Sequence, residues 1–285
     1  HQQQDVEISE QLSRIKHKIL VMSGKGGVGK TSTSVNLAIA LSKKGKKVGI
    51  MDVDLHGPDV PRMLGIDGTP ELTSNHKLSP LNYSENLKVI SIESFTPSKD
   101  DAIIWRGPMK HTLIRQFLSD VDWGELDYLV IDSPPGTGDE PLTVAQTITD
   151  AKALIVTTPQ EVSLADVRKS INFCRQVKMD ILGLVENMSG LKCPYCGKLI
   201  EVFKTQGGEI TAQKEGLRLL AKLPLELEVV KEGDAGDISL LDNKALLITQ
   251  EFNKMVAEIM KLTDTKASSA GHGNKDLAGR KTGTG

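Results

Sequence analysis

Ile19-Leu20-Val21-Met22-Ser23-Gly24-Lys25-Gly26-Gly27-Val28-Gly29-Lys30-Thr31-Ser32 is the stretch that decides the fold. Its first four residues have the length and apolar character of a buried strand, and from Ser32 to Lys44 the apolar residues recur at helical spacing. Between strand and helix, Gly24 to Thr31 satisfies the pattern Gly, four residues, Gly-Lys-Ser/Thr of a phosphate-binding loop. The backbone of Gly24, Lys25, Gly26, Gly27, Val28 and Gly29 can turn its N–H groups inward onto phosphate oxygens, and the helix continuing through Ser32 adds its positive end. Lys30 is the candidate partner of the β- and γ-phosphates of a nucleotide, and the Thr31 hydroxyl a candidate magnesium ligand. Lys25 lies outside the general pattern and points outward in such a loop. It is either a solvated lysine or a cation that reaches a nucleotide bound by a second subunit, as an arginine finger does.

Outward from this stretch, runs of similar length follow: Val48-Gly49-Ile50-Met51, Leu87 to Ile92, Tyr128-Leu129-Val130-Ile131, Ala153-Leu154-Ile155-Val156, Ile181 to Val185 and Leu219 to Leu223. Helical spacing separates most of them, at Lys110 to Ser119, Ser163 to Gln176 and Gly208 to Gly216. Near-continuous apolar strands alternating with helices predict an α/β fold, a mostly parallel sheet with helices on both faces. Residues 1–17 read as a leader with one helix, 18–262 as the P-loop ATPase domain closing in an amphipathic helix over 243–262, and 263–285 as a tail. That tail carries one large apolar residue, Leu277, too little to offset its ordering entropy. It is expected to be disordered, or a linker toward a further domain.

Two acidic stretches end strands: Asp52-Val53-Asp54-Leu55-His56-Gly57-Pro58 and Asp132-Ser133-Pro134-Pro135-Gly136-Thr137-Gly138-Asp139. The carboxyl edge of an open parallel sheet is where the ligand crevice forms, so these carboxylates converge on the phosphate loop. Asp132 has the position of a Walker-B carboxylate that joins the magnesium shell, while Asp54 or Asp52 orients the attacking water, or alternatively caps a helix. The loop from Pro134 to Gly138 reads as a γ-phosphate switch.

The 285 residues include only three cysteines, too few for a disulfide framework. Two form Cys193-Pro194-Tyr195-Cys196, a knuckle that turns two sulfurs toward one ion. A tetrahedral thiolate site needs four. Two chains related by a twofold axis supply them, bridged by a [4Fe-4S] cluster or by zinc; a dithiol redox pair is the other reading. Cys174, inside a helical segment, reads as a small buried hydrophobe. With 39% hydrophobic residues and 35 Lys plus Arg against 37 Asp plus Glu, the chain lacks the basic balance of a nucleic-acid binder. It also lacks an apolar run long enough to span a membrane and a signal-peptide pattern at its amino terminus. A cytoplasmic protein with neither membrane nor nucleic-acid partner is expected.

The loop Gly24 to Thr31, with its extra Lys25, resembles the deviant Walker-A loop of the nitrogenase iron protein, MinD and ParA group. The switch Asp132 to Asp139, the segments Trp105-Arg106-Gly107-Pro108-Met109, Thr158-Pro159-Gln160-Glu161-Val162 and Glu186-Asn187-Met188-Ser189, and the cysteine pair after them are similar to the Mrp/ApbC branch. That branch consists of ATPases that carry iron-sulfur clusters to apoproteins. The resemblance spans about residues 15–262. It implies that Lys25 acts across a homodimer, that Asp54 lies in switch I and joins the magnesium site with Thr31 and Asp132, that Asn187 reads adenine, and that Cys193 and Cys196 hold a [4Fe-4S] cluster. Two features of relatives are missing from these residues: the amino-terminal four-cysteine segment of eukaryotic scaffolds and the accessory domain of many bacterial members. Two other functions remain open, a MinD- or ParA-like positioning ATPase and a zinc-bridged dimer. The first calls for a basic amphipathic carboxyl-terminal helix, but Asn243 to Leu262 mixes Glu251 and Glu258 with Lys244, Lys254 and Lys261.

Overall fold

The structure is a computed structural model that describes residues 2–55, 57–95, 107–193, 195–202, 206–226, 243 and 246–269. Its helices are α1 (Gln2–Ser13), α2 (Lys30–Lys43), α3 (Val60–Leu64), α4 (Gly107–Ser119), α5 (Asp139–Thr147), α6 (Glu161–Gln176), α7 (Gly207–Glu215) and α8 (Leu247–Ser269). The strands are β1 (Ile15–Ser23), β2 (Val48–Asp52), β3 (Glu71–Leu72), β4 (Leu78–Ser79), β5 (Leu81–Ser84), β6 (Leu87–Ser91), β7 (Leu126–Asp132), β8 (Lys152–Thr157), β9 (Asp180–Lys192), β10 (Leu199–Ile200) and β11 (Leu219–Leu225).

Nine of these strands form one sheet in the order β10-β9-β8-β1-β7-β2-β6-β5, with β11 also on β9. The pairs among β1, β2, β6, β7, β8, β9 and β11 are all parallel, and only β5 and β10 at the margins run antiparallel. Each central strand is apolar on both faces because both are covered. In β1, Leu20 and Met22 join one core with Ile114 and Phe117 of α4, Val144 of α5 and Val167 and Ile171 of α6. Ile19 and Val21 join the other, with Val35 and Ile39 of α2 and Phe252, Met255 and Ile259 of α8. The expected architecture is therefore present, a helix layer on each face of a mostly parallel sheet.

Where boundaries moved, side chains explain why. Strand β1 starts at Ile15, inside the segment read as a leader. Lys16 and Lys18 interrupt the apolar pattern, but their ammonium groups reach Asp127 at 2.7 Å and Asp150 at 2.8 Å, leaving the backbone free to pair with Leu126 to Asp132. Helix α1 buries Ile8 and pairs Asp5 with Arg115 of α4, so it belongs to the packed body. Helix α8 runs to Ser269, past the expected end at 262. Thr263 is buried and its hydroxyl lies 2.8 Å from Tyr128 Oη, a polar tie that an apolar count overlooks. Residues 270–285 lie outside the described residues, as do Trp105 and Arg106.

Tight packing beneath the sheet yields a stability prediction. A Cβ at Gly49 of β2 would stand 2.7 Å from Trp123 Cζ3 and 2.8 Å from Leu126 Cδ1. Trp123 cannot easily retreat, because it is fully buried and its indole N–H donates to the Phe117 carbonyl at 3.0 Å. Gly49→Ala is expected to cost about 1–3 kcal/mol through overpacking. Urea unfolding measures it, and an unchanged midpoint would show that Trp123 yields.

Candidate nucleotide and thiolate sites

β1 leads directly into the phosphate loop, and α2 leaves it. Gly29, at the start of α2, has φ of 82°, a left-handed conformation that glycine adopts without a Cβ clash. The parallel ladders align Asp132 of β7 with Val21 of β1 and with Asp52 of β2, so both carboxylates end level with the loop. The switch is tied to the end of β1 that feeds the loop: Gly136 N–H donates to Ser23 O at 2.8 Å and Ser133 Oγ to Val21 O at 2.8 Å.

Four candidate residues meet here. Lys30 Nζ is 2.8 Å from Asp132 Oδ2, 3.3 Å from Thr31 Oγ1 and 3.8 Å from Asp54 Oδ2. Thr31 Oγ1 donates to the same Asp132 oxygen at 2.8 Å. Ser34 holds the other, donating from Oγ to Asp132 Oδ1 at 2.6 Å. Ser34 was not among the sequence candidates, yet it lies three residues past Thr31 on the same face of α2, and helical spacing alone could have found it. Ser32 lies half-buried on the next position of that helix, its carbonyl accepting from Asn36 Nδ2 at 2.8 Å.

Asp52 and Asp54 separate. Asp52 is fully buried and accepts from the backbone N–H of Asp54 at 3.0 Å and of Val60 at 3.4 Å, and from Ser91 Oγ at 3.0 Å. Burial first, and then the Asp132 charge beside it, push its pKa well above the ordinary carboxylate range. Asp52 thus shapes the turn that ends β2. Asp54 is the carboxylate of this pair that comes within ion-pair distance of Lys30, at 3.8 Å, with its side chain 12% exposed.

Lys25 is not a freely solvated lysine: half-buried, it donates to Gln160 Oε1 of its own chain at 3.1 Å. Asn187 of β9 donates from Nδ2 to the Val28 carbonyl at 2.9 Å, and a Cβ on Gly29 would fall 2.1 Å from that nitrogen. Its amide thus rests on the back of the loop. Behind the switch, Glu140 of α5 pairs with Lys110 of α4 at 2.7 Å, a largely buried contact that the sequence did not announce.

The cysteine pair sits on a tight hairpin at the end of β9. Cys193 N–H donates to Lys198 O and Gly197 N–H to Cys193 O, both at 2.9 Å. Backbone N–H groups of Cys196 and Tyr195, then the Cys196 side chain, lower the Cys193 thiol pKa, so the turn favours a thiolate. Cys193 is half-buried and Cys196 exposed, beside exposed apolar Tyr195, Leu199, Ile200 and Val202. No cluster of three or more His, Cys, Asp or Glu suited to a metal ion occurs among the described residues. Cys174 lies in the core with its thiol 3.7 Å from Met22 Sδ, and burial raises its pKa to about 12, the behaviour of a packing residue.

Residues 14–260 match the family of NUBPL iron-transfer P-loop NTPases. The chain belongs to that family. Among relatives of this iron-transfer NTPase, the iron-sulfur cluster carrier protein of Methanocaldococcus jannaschii is 48% identical over 266 residues, covering 93% of this chain and 91% of the relative. The protein of the same name from Saccharolobus solfataricus is 44% identical, covering 92% and 88%. Of the solved structures, a nucleotide-binding protein from Archaeoglobus fulgidus in complex with ADP superposes with a TM-score of 0.75 at 38% identity, covering 87% of this chain and 96% of that one. MinD from Pyrococcus horikoshii, complexed with Mg-ADP, superposes with a TM-score of 0.62 at 23% identity, over 88% and 98% of the two chains, and at that identity shares the fold. No helix among the described residues of this NTPase is long and apolar enough to cross a membrane.

Proposed function

We propose that this NTPase binds and hydrolyses ATP, carries a [4Fe-4S] cluster between two copies of itself, and passes the cluster to apo iron-sulfur proteins. The observation that carries the proposal is the course of β9, which touches the phosphate loop through Asn187 and six residues later enters the Cys193–Cys196 hairpin. A nucleotide site and a thiolate pair thus share one strand.

ATP would lie with its phosphates in the cradle of residues 24–31, where Lys30 turns from Asp132 to the β- and γ-phosphates. Oxygen ligands only, with three aspartates around one lysine, fit a hard divalent cation. Thr31, Asp132 and Asp54 are the groups to hold Mg2+, which neutralises phosphate charge when bound. Asp54 accepts a hydrogen bond from the water facing the γ-phosphate and orients it. Lys25 of a second copy adds positive charge where the transition state spreads negative charge over the γ-oxygens. Asn187, already facing the loop, reads the adenine. Two hairpins brought together at a twofold axis give the four sulfurs of the cluster site, and their exposed Tyr195, Leu199 and Ile200 cover each other. A cluster held by reduced thiols suits the cytoplasm, where cysteines stay reduced.

One structural observation weighs against a membrane-positioning ATPase. The apolar face of α8 is spent on the sheet, with Phe252, Met255, Val256 and Ile259 buried. Zinc in place of the cluster is decided by experiment. Anaerobic reconstitution with iron and sulfide is expected to give a brown protein with iron and sulfide in equal amounts, whereas a colourless product that takes up only zinc would refute cluster carriage.

Asp54→Asn is expected to leave ATP affinity nearly unchanged while slowing hydrolysis by about a hundredfold or more, because the amide keeps the shape and loses the charge that orients water. Single-turnover hydrolysis beside equilibrium binding checks this, and full turnover would remove Asp54 from the reaction.

A further inference from the structure

The contact of Lys25 with Gln160 carries an inference of its own, resting on the proposed action of Lys25 across the dimer. Gln160 is the residue before α6, at the N-cap, with φ −65° and ψ 135°, and its side chain makes no capping bond. At this position Ser, Thr, Asp or Asn would cap better. The amide reaches out instead and accepts from Lys25 Nζ at 3.1 Å, while the Gln160 carbonyl takes the Leu164 N–H at 3.1 Å inside the helix. The loop and α6 also touch through backbone, since a Cβ on Gly24 would meet the Asp166 carbonyl carbon at 2.3 Å and the Val167 nitrogen at 2.6 Å. The start of α6 is therefore a fixed wall beside the loop, and Lys25 is held against it. Just past this contact, Val162 stands 67% exposed.

We propose that Gln160 is a positioning residue that parks Lys25 on its own chain and so sets how readily the lysine is released to a nucleotide bound by a second copy. A lysine drawn toward α6 of its own subunit must let go of Gln160 before it extends across an interface. The partner is a neutral amide, so the bond is weaker than an ion pair and opens readily when phosphate charge arrives. A carboxylate at 160 would hold the lysine in place; a side chain that cannot reach would leave it free.

The test measures ATP hydrolysis per chain against protein concentration for full-length protein with Gln160 changed to Ala, Asn or Glu. Gln160→Ala and Gln160→Asn are expected to reach half-maximal specific activity at about three- to tenfold lower protein concentration, and Gln160→Glu at a similarly higher one, with ADP affinity unchanged in all three. Asn caps α6 well yet is too short to reach Lys25, so it separates release of the lysine from damage to the helix. A structural defect would shift Ala and Glu in the same direction; such a result, or three curves coincident with the unaltered protein, overturns the proposal. Lys25→Ala serves as the control. If it hydrolyses ATP at full rate, the underlying trans reading has failed. If it loses hydrolysis while the Gln160 variants do not move, only the parking role has failed.

Discussion

Lys30→Ala is expected to weaken nucleotide binding by about two to three orders of magnitude, because it removes the charged donor aimed at two phosphates. A second effect follows from burial. The Lys30 side chain is 7% exposed and that of Asp132 only 1%, so the truncation leaves the buried Asp132 carboxylate without the ammonium it pairs with. Breaking such a pair from one side costs roughly 3–5 kcal/mol of stability. The two losses can be separated with the double variant Lys30→Ala/Asp132→Asn, in which the orphaned charge is also removed. Its unfolding midpoint should recover much of the lost stability, whereas binding of a fluorescent ADP analogue should remain absent. Lys25→Ala should bind nucleotide like the unaltered protein and fail at hydrolysis. Equal binding defects in the Lys25 and Lys30 variants would contradict the separate roles assigned to them.

Loss of either hairpin cysteine is the other large effect. Cys193→Ala or Cys196→Ala reduces a four-thiolate site at a twofold axis to two thiolates. Cluster content is thus expected to fall from about one [4Fe-4S] per two chains to nearly none. ATP binding should persist, since the loop draws on residues 24–31. A bridging cluster also links folding, metal and assembly, so the loaded protein should elute as a dimer and drift toward monomer when iron is chelated. Cys174→Ala should keep the cluster and lose only core packing. Iron and sulfide analysis beside elution volumes gives the answer; one cluster per single chain, or full occupancy in a Cys193 variant, would rule out the bridge.

The residues around Asp132 illustrate what could and could not be read in advance. Lys30 and Thr31 were visible because a phosphate loop is a run of adjacent residues whose chemistry depends on their order. Asp132 was visible because a carboxylate at the end of an apolar run falls on the ligand edge of a parallel sheet. From strand position alone the choice between Asp52 and Asp54 stayed open, for both stand at the same strand end, and only the resemblance pointed to Asp54. The choice turns on which carboxylate the backbone of Asp54 and Val60 and the hydroxyl of Ser91 enclose, and Ser91 arrives from the neighbouring strand β6. Likewise Gln160 lies 135 residues from Lys25, and nothing in the spacing of either links them.

By itself, the sequence determined the phosphate loop, the alternation of strands and helices, the parallel sheet and the pairing of two sulfurs on one turn. All of these rest on short-range causes: consecutive residues in a loop, the period of apolar side chains, and the reach of a tight turn. The tertiary structure alone decided that Lys16 and Lys18 belong to β1, that Thr263 extends α8, that Ser34 and Thr31 share Asp132, and that Lys25 is held by Gln160. In each case a polar group finds its partner on a distant segment once the sheet has brought the two together. Burial makes such partners obligatory, since an unpaired polar group inside costs a kilocalorie or more, but strand order and register choose which partner it is.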